Sequence, residues 1–439
     1  MENCSLLTDF YQLTMAQSYW KAGFAEKRAC FQLSFRRAPF KGRYAIACGL
    51  EPILAFIEKF QFTKSDLVYL ESLKVFEVEF LNYLSTLRLT CDVDAMHEGT
   101  IAFPNEPMLR VTGPILQAQL LETALLNMMN FQSLIATKAS RIRFVAANDE
   151  VIEFGLRRAQ GFDGGLSASR ASFLGGCDAT SHVLAAKQFG IPLRGTLAHS
   201  WVMAFDNERS AFATYAEVSP GNYIFPVDTY NSLEGVRNAM RVGPRLAGIR
   251  LDSGNLEELS KAAREILNEA GFRDTKIIAS GDIDENKIMV LKKAKAPIDV
   301  WGVGTRLVTA HDDPALGGIY KLTALYENDT WKPCVKVSDD EVKKTLPGVL
   351  QVRRYTTKGR FAGDFIYDIY ASKEPLRTEF EDLVVPYMRA GKRLHTARTM
   401  CDTKNYIAKQ LLQLDDSVKD LTQPAPYRVD FDEVLLLKR

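Results

Sequence analysis

No two cysteines of the 439-residue chain stand close enough to hold a metal or form a local redox pair. The seven cysteines, at 4, 30, 48, 91, 177, 334 and 401, are never nearer than 18 positions apart. CxxC and zinc-ribbon spacings are therefore excluded. The odd number and wide spread predict free thiols in a reducing compartment. An excess of one charge is missing too: Lys+Arg is 55 and Asp+Glu is 54, a formal net charge of +1. No general attraction to nucleic acid or to an anionic membrane is expected. No uninterrupted apolar run reaches the roughly 18 residues of a spanning helix. The opening MENCSLLTDFYQLTMAQSYW carries Glu2 and Asp9 and no basic stretch, so it does not read as a signal peptide. A soluble, cytoplasmic protein is the expectation. What is present, 46% hydrophobic and 25% charged residues, is ordinary globular composition and excludes a disordered or fibrous chain.

Three zones separate by pattern. Residues 1–148 mix strands such as CFQLSFRR and MLRVTG with a helical region, GPILQAQLLETALLNMMNFQSLIATKASRIR. Residues 149–325 keep a regular beat of short apolar runs and helical stretches. EVIEF, LRGTLAH, YIFPVDT, LAGIRLD, KIIASGD and IDVWGVG are the expected strands. Six such units predict a parallel sheet with helical crossovers, closed or partly closed into a barrel. The helix NLEELSKAAREILNEAGF is expected to end at Gly271. Residues 326–439 return to hairpin-like strands: TWKPCVKVS, LQVRRYTT, FIYDIY and a last strand in YRVDFDEVLLLKR.

Parallel β/α folds gather ligands at the carboxyl ends of their strands. The expected ends there are Gly155, Arg157 and Arg158; His199-Ser200; Asp228-Thr229; Asp252-Ser253-Gly254, with Arg250 just before; Ser280-Gly281-Asp282; and Gly302-Val303-Gly304-Thr305. SGN, SGD and GVGT are small turns whose N–H groups can approach a phosphate. Asp228, Asp252 and Asp282 suit a divalent cation or a ribose, or else cap helices. His199 suits a general base or a phosphoryl acceptor, with Asp228 orienting its ring, or else a structural role. One of the adjacent Arg157 and Arg158 is expected to face the pocket and the other to face solvent. His97 and His182 read as structural. The turn at Cys177 reads as cap chemistry around Asp178 and not as a catalytic thiol.

In order and spacing, LLTDFYQLTMAQSYW, SFRRAPF, the GPILQAQLLETALLN region, EFGLRRAQ, GTLAHSW, VDTYN, GIRLDSGNL, IIASGDIDE and WGVGTRLVT resemble the nicotinate phosphoribosyltransferase family. That family belongs to a group with the nicotinamide and quinolinate enzymes. The resemblance is strong over residues 5–325 and weaker beyond. It implies an irregular partial α/β barrel of parallel strands over 149–325. It also implies a second α/β domain built from both ends of the chain, 1–148 with the strand-rich 326–439. The implied reaction joins nicotinate and phosphoribosyl pyrophosphate into nicotinate mononucleotide and pyrophosphate. ATP hydrolysis is coupled through a phosphohistidine, and Mg²⁺ assists.

The resemblance also implies roles, residue by residue. His199 is the phosphorylated histidine and Asp228 its partner. Tyr11, reaching across a homodimer interface, and Phe154 sandwich the pyridine ring. Thr196, Arg250 and Arg157 bind nicotinate. Asp252, Ser253, Gly254, Ser280, Gly281, Asp282, Gly302, Gly304 and Thr305 contact phosphoribosyl pyrophosphate, with Arg36 supplied by the neighbouring subunit. Asp252 lies near the ribose and Mg²⁺. The nearest rival is nicotinamide phosphoribosyltransferase, because Asp178 resembles a position that helps hold the amide. Against it, Ala198 stands before His199 where the nicotinamide members usually carry an acid. A non-catalytic nucleotide-binding relative is the other alternative. A plain dinucleotide domain is disfavoured, since GVGTRL lacks GxGxxG spacing.

Overall fold

The computed structural model describes residues 4–219, 221, 223–336, 345–371, 379–433 and 435. Much of the expected DDEVKKTLPG connection lies outside these residues, as does the last stretch of the tail. The chain divides into two compact units, Met1–Leu134 with Ala315–Arg439, and Ile135–Pro314.

In the first unit both ends of the chain meet in one sheet. Strand Arg28–Phe35, from the beginning, pairs antiparallel with Gly318–Glu327 on one side and with Leu109–Pro114 on the other. Asp92–Ala95 and Val385–Arg389 extend the sheet. A four-stranded sheet follows the order Phe380–Asp382, Leu350–Thr357, Arg360–Asp368, Val429–Phe431. Arg354, buried on Leu350–Thr357, bonds Asp364 of the neighbouring strand (Nε to Oδ1, 2.9 Å). Tyr427 donates to the same carboxylate at 2.9 Å. The Arg354 Nε and one terminal nitrogen find the Asp364 carboxylate and the Ile101 carbonyl, which offsets the cost of burying the charge.

The second unit carries one parallel sheet in the order Ala179–Thr180, Glu150–Glu153, Val300–Val303, Lys276–Ala279, Leu246–Leu251, Tyr223–Pro226. Strands that follow one another in the chain are neighbours except at one place. No ladder joins Ala179–Thr180 to Tyr223–Pro226, so the curled sheet is a half-barrel, open between its second and third strands. One face is lined by Ile152, Ala179, Ile278 and Val300, with Phe154 and Ile224 against them. Val151, Ile249, Ile277 and Trp301 on the opposite parity are also buried. Such two-sided burial is why these strands read as nearly continuous apolar runs.

The expected strand at 193–198 is not a strand. Leu193 makes a single parallel bridge to Thr180, and residues 194–198 run on irregularly, most of them exposed. Apolar–polar alternation satisfied the strand pattern, but no second strand offers a ladder and Gly195 weakens what remains. His199 therefore opens a short helix, His199–Met203, and does not end a strand. The Leu256–Glu269 helix closes as expected: Gly271 (φ 84°) bonds Asn268 O while Phe272 N–H reaches Leu267 O at 2.8 Å.

Candidate active site

At the carboxyl ends of the parallel strands lies a cleft of about 970 Å³. Phe154, Arg157 and Arg158 form one part of its wall, and Thr196, His199 and Arg250 another. Asp252, Ser280, Gly281 and Asp282 follow, then Gly302, Gly304 and Thr305. Twelve of the positions singled out by resemblance thus meet in one cavity: Phe154, Arg157, Thr196, His199, Arg250, Asp252, Ser280, Gly281, Asp282, Gly302, Gly304 and Thr305. Asp228, Ser253 and Gly254 stand outside the lining. Tyr11, nearly half exposed on the helix Phe10–Lys21, and Arg36 belong to the first unit.

The geometry around His199 is specific. Its Nδ1 lies 3.0 Å from the Thr229 hydroxyl. Its Nε2 lies 3.6 Å from Asp228 Oδ1 and 3.4 Å from an Arg250 terminal nitrogen. Another Arg250 nitrogen donates to Thr196 Oγ1 at 2.6 Å. Burial lowers the Arg250 pKa from its ordinary value, Asp252 and Asp228 pull the other way, and Arg157 adds to the lowering. A desolvated guanidinium of this kind gains most from an anionic ligand.

Asp228 is almost fully buried behind the imidazole. Its Oδ2 accepts from Asp252 N–H at 2.9 Å and from Ser253 Oγ at 2.7 Å, while Oδ1 has no hydrogen-bond partner within the described residues. None of the three aspartates caps a helix. Asn231, Asn255 and Asp284 do so. The carboxylates are thereby left for the site, and Ser280 Oγ bonds Asp252 across two adjacent turns.

Two glycines are sterically required here. A Cβ on Gly281 would lie 2.0 Å from the Asp252 carbonyl oxygen, and one on Gly302 would lie 2.8 Å from the Phe154 ring. The first lets two turns touch; the second gives the aromatic ring its place.

Three expectations are corrected. Arg157 and Arg158 both line the cleft, because Leu156–Arg158 is a 3₁₀ turn, on which neighbouring side chains diverge by about a third of a turn instead of opposing each other. Asp178 is not the cap of the helix that follows, where His182 stands, and it is not among the residues that line the cleft. It accepts from Val151 N–H at 2.9 Å and pairs with Arg143, at the start of the strand whose far end carries Phe154. The segment 193–198 contributes wall, not ladder: Arg194, Gly195 and Thr196 border this cleft and also a second cavity of about 840 Å³ toward the amino ends of the strands. Sequence reading missed Ser181, which lines the cleft, because its strand, Ala179–Thr180, is too short to show a period.

Known proteins resemble this chain in sequence and fold. Residues 6–130 match the nicotinate phosphoribosyltransferase (NAPRTase) N-terminal domain, 150–380 the nicotinate phosphoribosyltransferase family, and 351–438 the C-terminal domain. A nicotinate phosphoribosyltransferase of Bacillus subtilis is 42% identical over 98% of this chain and 94% of its own. The human protein of that name is 36% identical over 96% of this chain and 88% of its own. The crystal structure of human nicotinic acid phosphoribosyltransferase superposes with a TM-score of 0.86 at 30% identity, covering 98% of this chain and 99% of that one. Half-barrel, cleft and relatives lead to one assignment: the chain belongs to the nicotinate phosphoribosyltransferase family.

Proposed function

We propose that the chain forms nicotinate mononucleotide and pyrophosphate from nicotinate and phosphoribosyl pyrophosphate, with ATP hydrolysis coupled through a phosphorylated His199. The observation that carries this reading is the cleft itself. An aromatic ring and four guanidinium groups line one cleft with turns suited to phosphate. Arg250, anchored by Thr196, meets the pyridine carboxylate, and Arg157 stands by it. The Ser280–Asp282 and Gly302–Thr305 turns hold the 5′-phosphate with their N–H groups and the Thr305 hydroxyl. Positive charge growing on the sugar carbon is stabilised by Asp252 and Asp282.

Among the described residues no three His, Cys, Asp or Glu side chains cluster as metal ligands. Mg²⁺ needs less, since it takes one or two carboxylates and fills its sphere with water and substrate phosphate. Asp252 fits that role, and the ion would neutralise the departing pyrophosphate. Asp228, 3.6 Å from Nε2, and Thr229, 3.0 Å from Nδ1, hold the His199 ring in place for phosphoryl transfer. Tyr11 and Arg36 act from the partner subunit of a homodimer, completing a shared site. Ser253 and Gly254 shape the Asp252 turn from outside the cleft. The family, the free cysteines and the lack, among the described helices, of one long and apolar enough to cross a membrane support a cytoplasmic setting.

A nicotinamide substrate is disfavoured, since Asp178 is engaged by Arg143 and Val151 away from the cleft. Consumption of phosphoribosyl pyrophosphate with nicotinate, nicotinamide or quinolinate, with and without ATP, tests the reading. Nicotinate should be preferred and ATP should stimulate. γ-Labelled ATP should leave acid-labile label on the wild type and none on His199→Asn. Equal use of nicotinamide, or label retained by the variant, would refute the corresponding part.

A further inference from the structure

Glu153 puts a carboxylate on a largely apolar face of the sheet. It ends the strand Glu150–Glu153, is 1% exposed, and shares its parity with the apolar Val151. Three neutral donors surround its carboxylate. Gly155 N–H bonds Oε1. Ser169 Oγ, from the helix Gly161–Gly175, bonds Oε2 at 2.9 Å, and Thr180 Oγ1, from the edge strand, bonds the same oxygen at 2.6 Å. Ser169 Oγ is also 3.1 Å from His182 Nδ1, on a histidine that is itself buried. With the serine proton given to Glu153, His182 Nδ1–H donates to the serine oxygen, and a relay of three side chains is complete.

We propose, on the functional reading above, that Glu153 is a positioning residue for the pyridine end of the cleft, with Ser169 and His182 holding it in turn. Burying a carboxylate with no cation beside it is expensive, and an apolar residue would pack that face of the sheet at lower cost. What the carboxylate gains is local order. Phe154, Arg157 and Ser181 line the cleft, and each hangs from this residue. Phe154 follows it directly. Arg157 projects from the turn that begins at the captured Gly155 N–H, where Arg158 N–H closes on Gly155 O at 2.8 Å. Ser181 N–H donates to the Glu153 carbonyl at 3.0 Å. One side chain and its own carbonyl thus tie together the elbow that aims a ring and a guanidinium at the same ligand.

Glu153→Gln keeps the shape but replaces one acceptor oxygen by a donor, so the donors can no longer all be satisfied. The nicotinate KM should rise about ten-fold or more, with kcat and the KM for phosphoribosyl pyrophosphate changing less than about three-fold. Ser169→Ala, which removes no charge and keeps the fold if Glu153→Gln does not, should show the same split at smaller size. A role confined to stability would lower Tm and move both KM values together, or neither; that outcome overturns the proposal. A crystal structure of Glu153→Gln gives a readout independent of turnover. Residues 155–158 should be displaced while Ser280 and Thr305 stay in place, and an unmoved elbow overturns the proposal even if activity falls. A wild type that ignores nicotinate would instead remove the functional reading and leave the displacement test standing.

Discussion

At position 281 a single methyl group is enough to test the phosphate turn. The residue has φ 88°, and a Cβ would press on the Asp252 carbonyl oxygen. Gly281→Ala must therefore separate two turns that Ser280 and Asp252 hold together. The expected result is a rise of about ten-fold or more in the KM for phosphoribosyl pyrophosphate, from a displacement of roughly 1 Å. The nicotinate KM should change much less, and steady-state kinetics with each substrate varied will show it. Equal loss for both would place Gly281 in general folding instead. At this scale the sequence was informative where function needs small residues, because SGD and GVGT announce their backbone geometry locally. It was silent where direction decides. Nothing in LRR says that both arginines of a 3₁₀ turn face one cavity, and nothing in CDATSH says that Asp178 turns away while Ser181 enters.

Elements were legible where period and partners agree. The helix Leu256–Glu269 and its glycine stop follow from apolar spacing and an Asn255 cap. The strand at 193–198 failed because a strand is a property of two segments, and the ladder that would complete this one is missing. The difference is measurable. Apart from helices and ladders, the backbone N–H groups of 195–198 find no backbone acceptor among the described residues. Ile277–Ala279, by contrast, sit between two parallel neighbours. Native-state hydrogen exchange should find the 195–198 amides exchanging about 100-fold or more faster than those of 277–279. Comparable protection would restore the strand and close the sheet further.

For the whole molecule, local pattern suggested zones, but only pairing shows that Arg28–Phe35 and Gly318–Glu327, almost 300 positions apart, are neighbours. Beside the second sheet of that unit, in the connection that leads into Leu109–Pro114, lies a buried carboxyl, Glu106, that faces Arg354 and Asp364 of the sheet. Burial, with Asp364 adding to it, lifts the Glu106 pKa well above its ordinary 4.5, while Arg354 and a bond to the Phe103 backbone pull the other way. The folded chain thus keeps a proton that the unfolded chain releases. This group's stabilising contribution is complete below that ordinary value and is lost as pH rises toward the folded one. Glu106→Gln imitates the protonated form and does not titrate. Its Tm should gain on the wild type as pH goes from about 5 to 8, and parallel profiles in scanning calorimetry would dismiss the shift.

The two-unit division also sets an order in time. A ribosome that has just added Pro314 has delivered every residue of the half-barrel, while everything from Ala315 onward is still to come. At translation speeds that interval is on the order of ten seconds, long compared with the folding of most domains. The catalytic half can be finished and waiting, while Arg28–Phe35, already able to pair with Leu109–Pro114, still lacks its other neighbour, Gly318–Glu327.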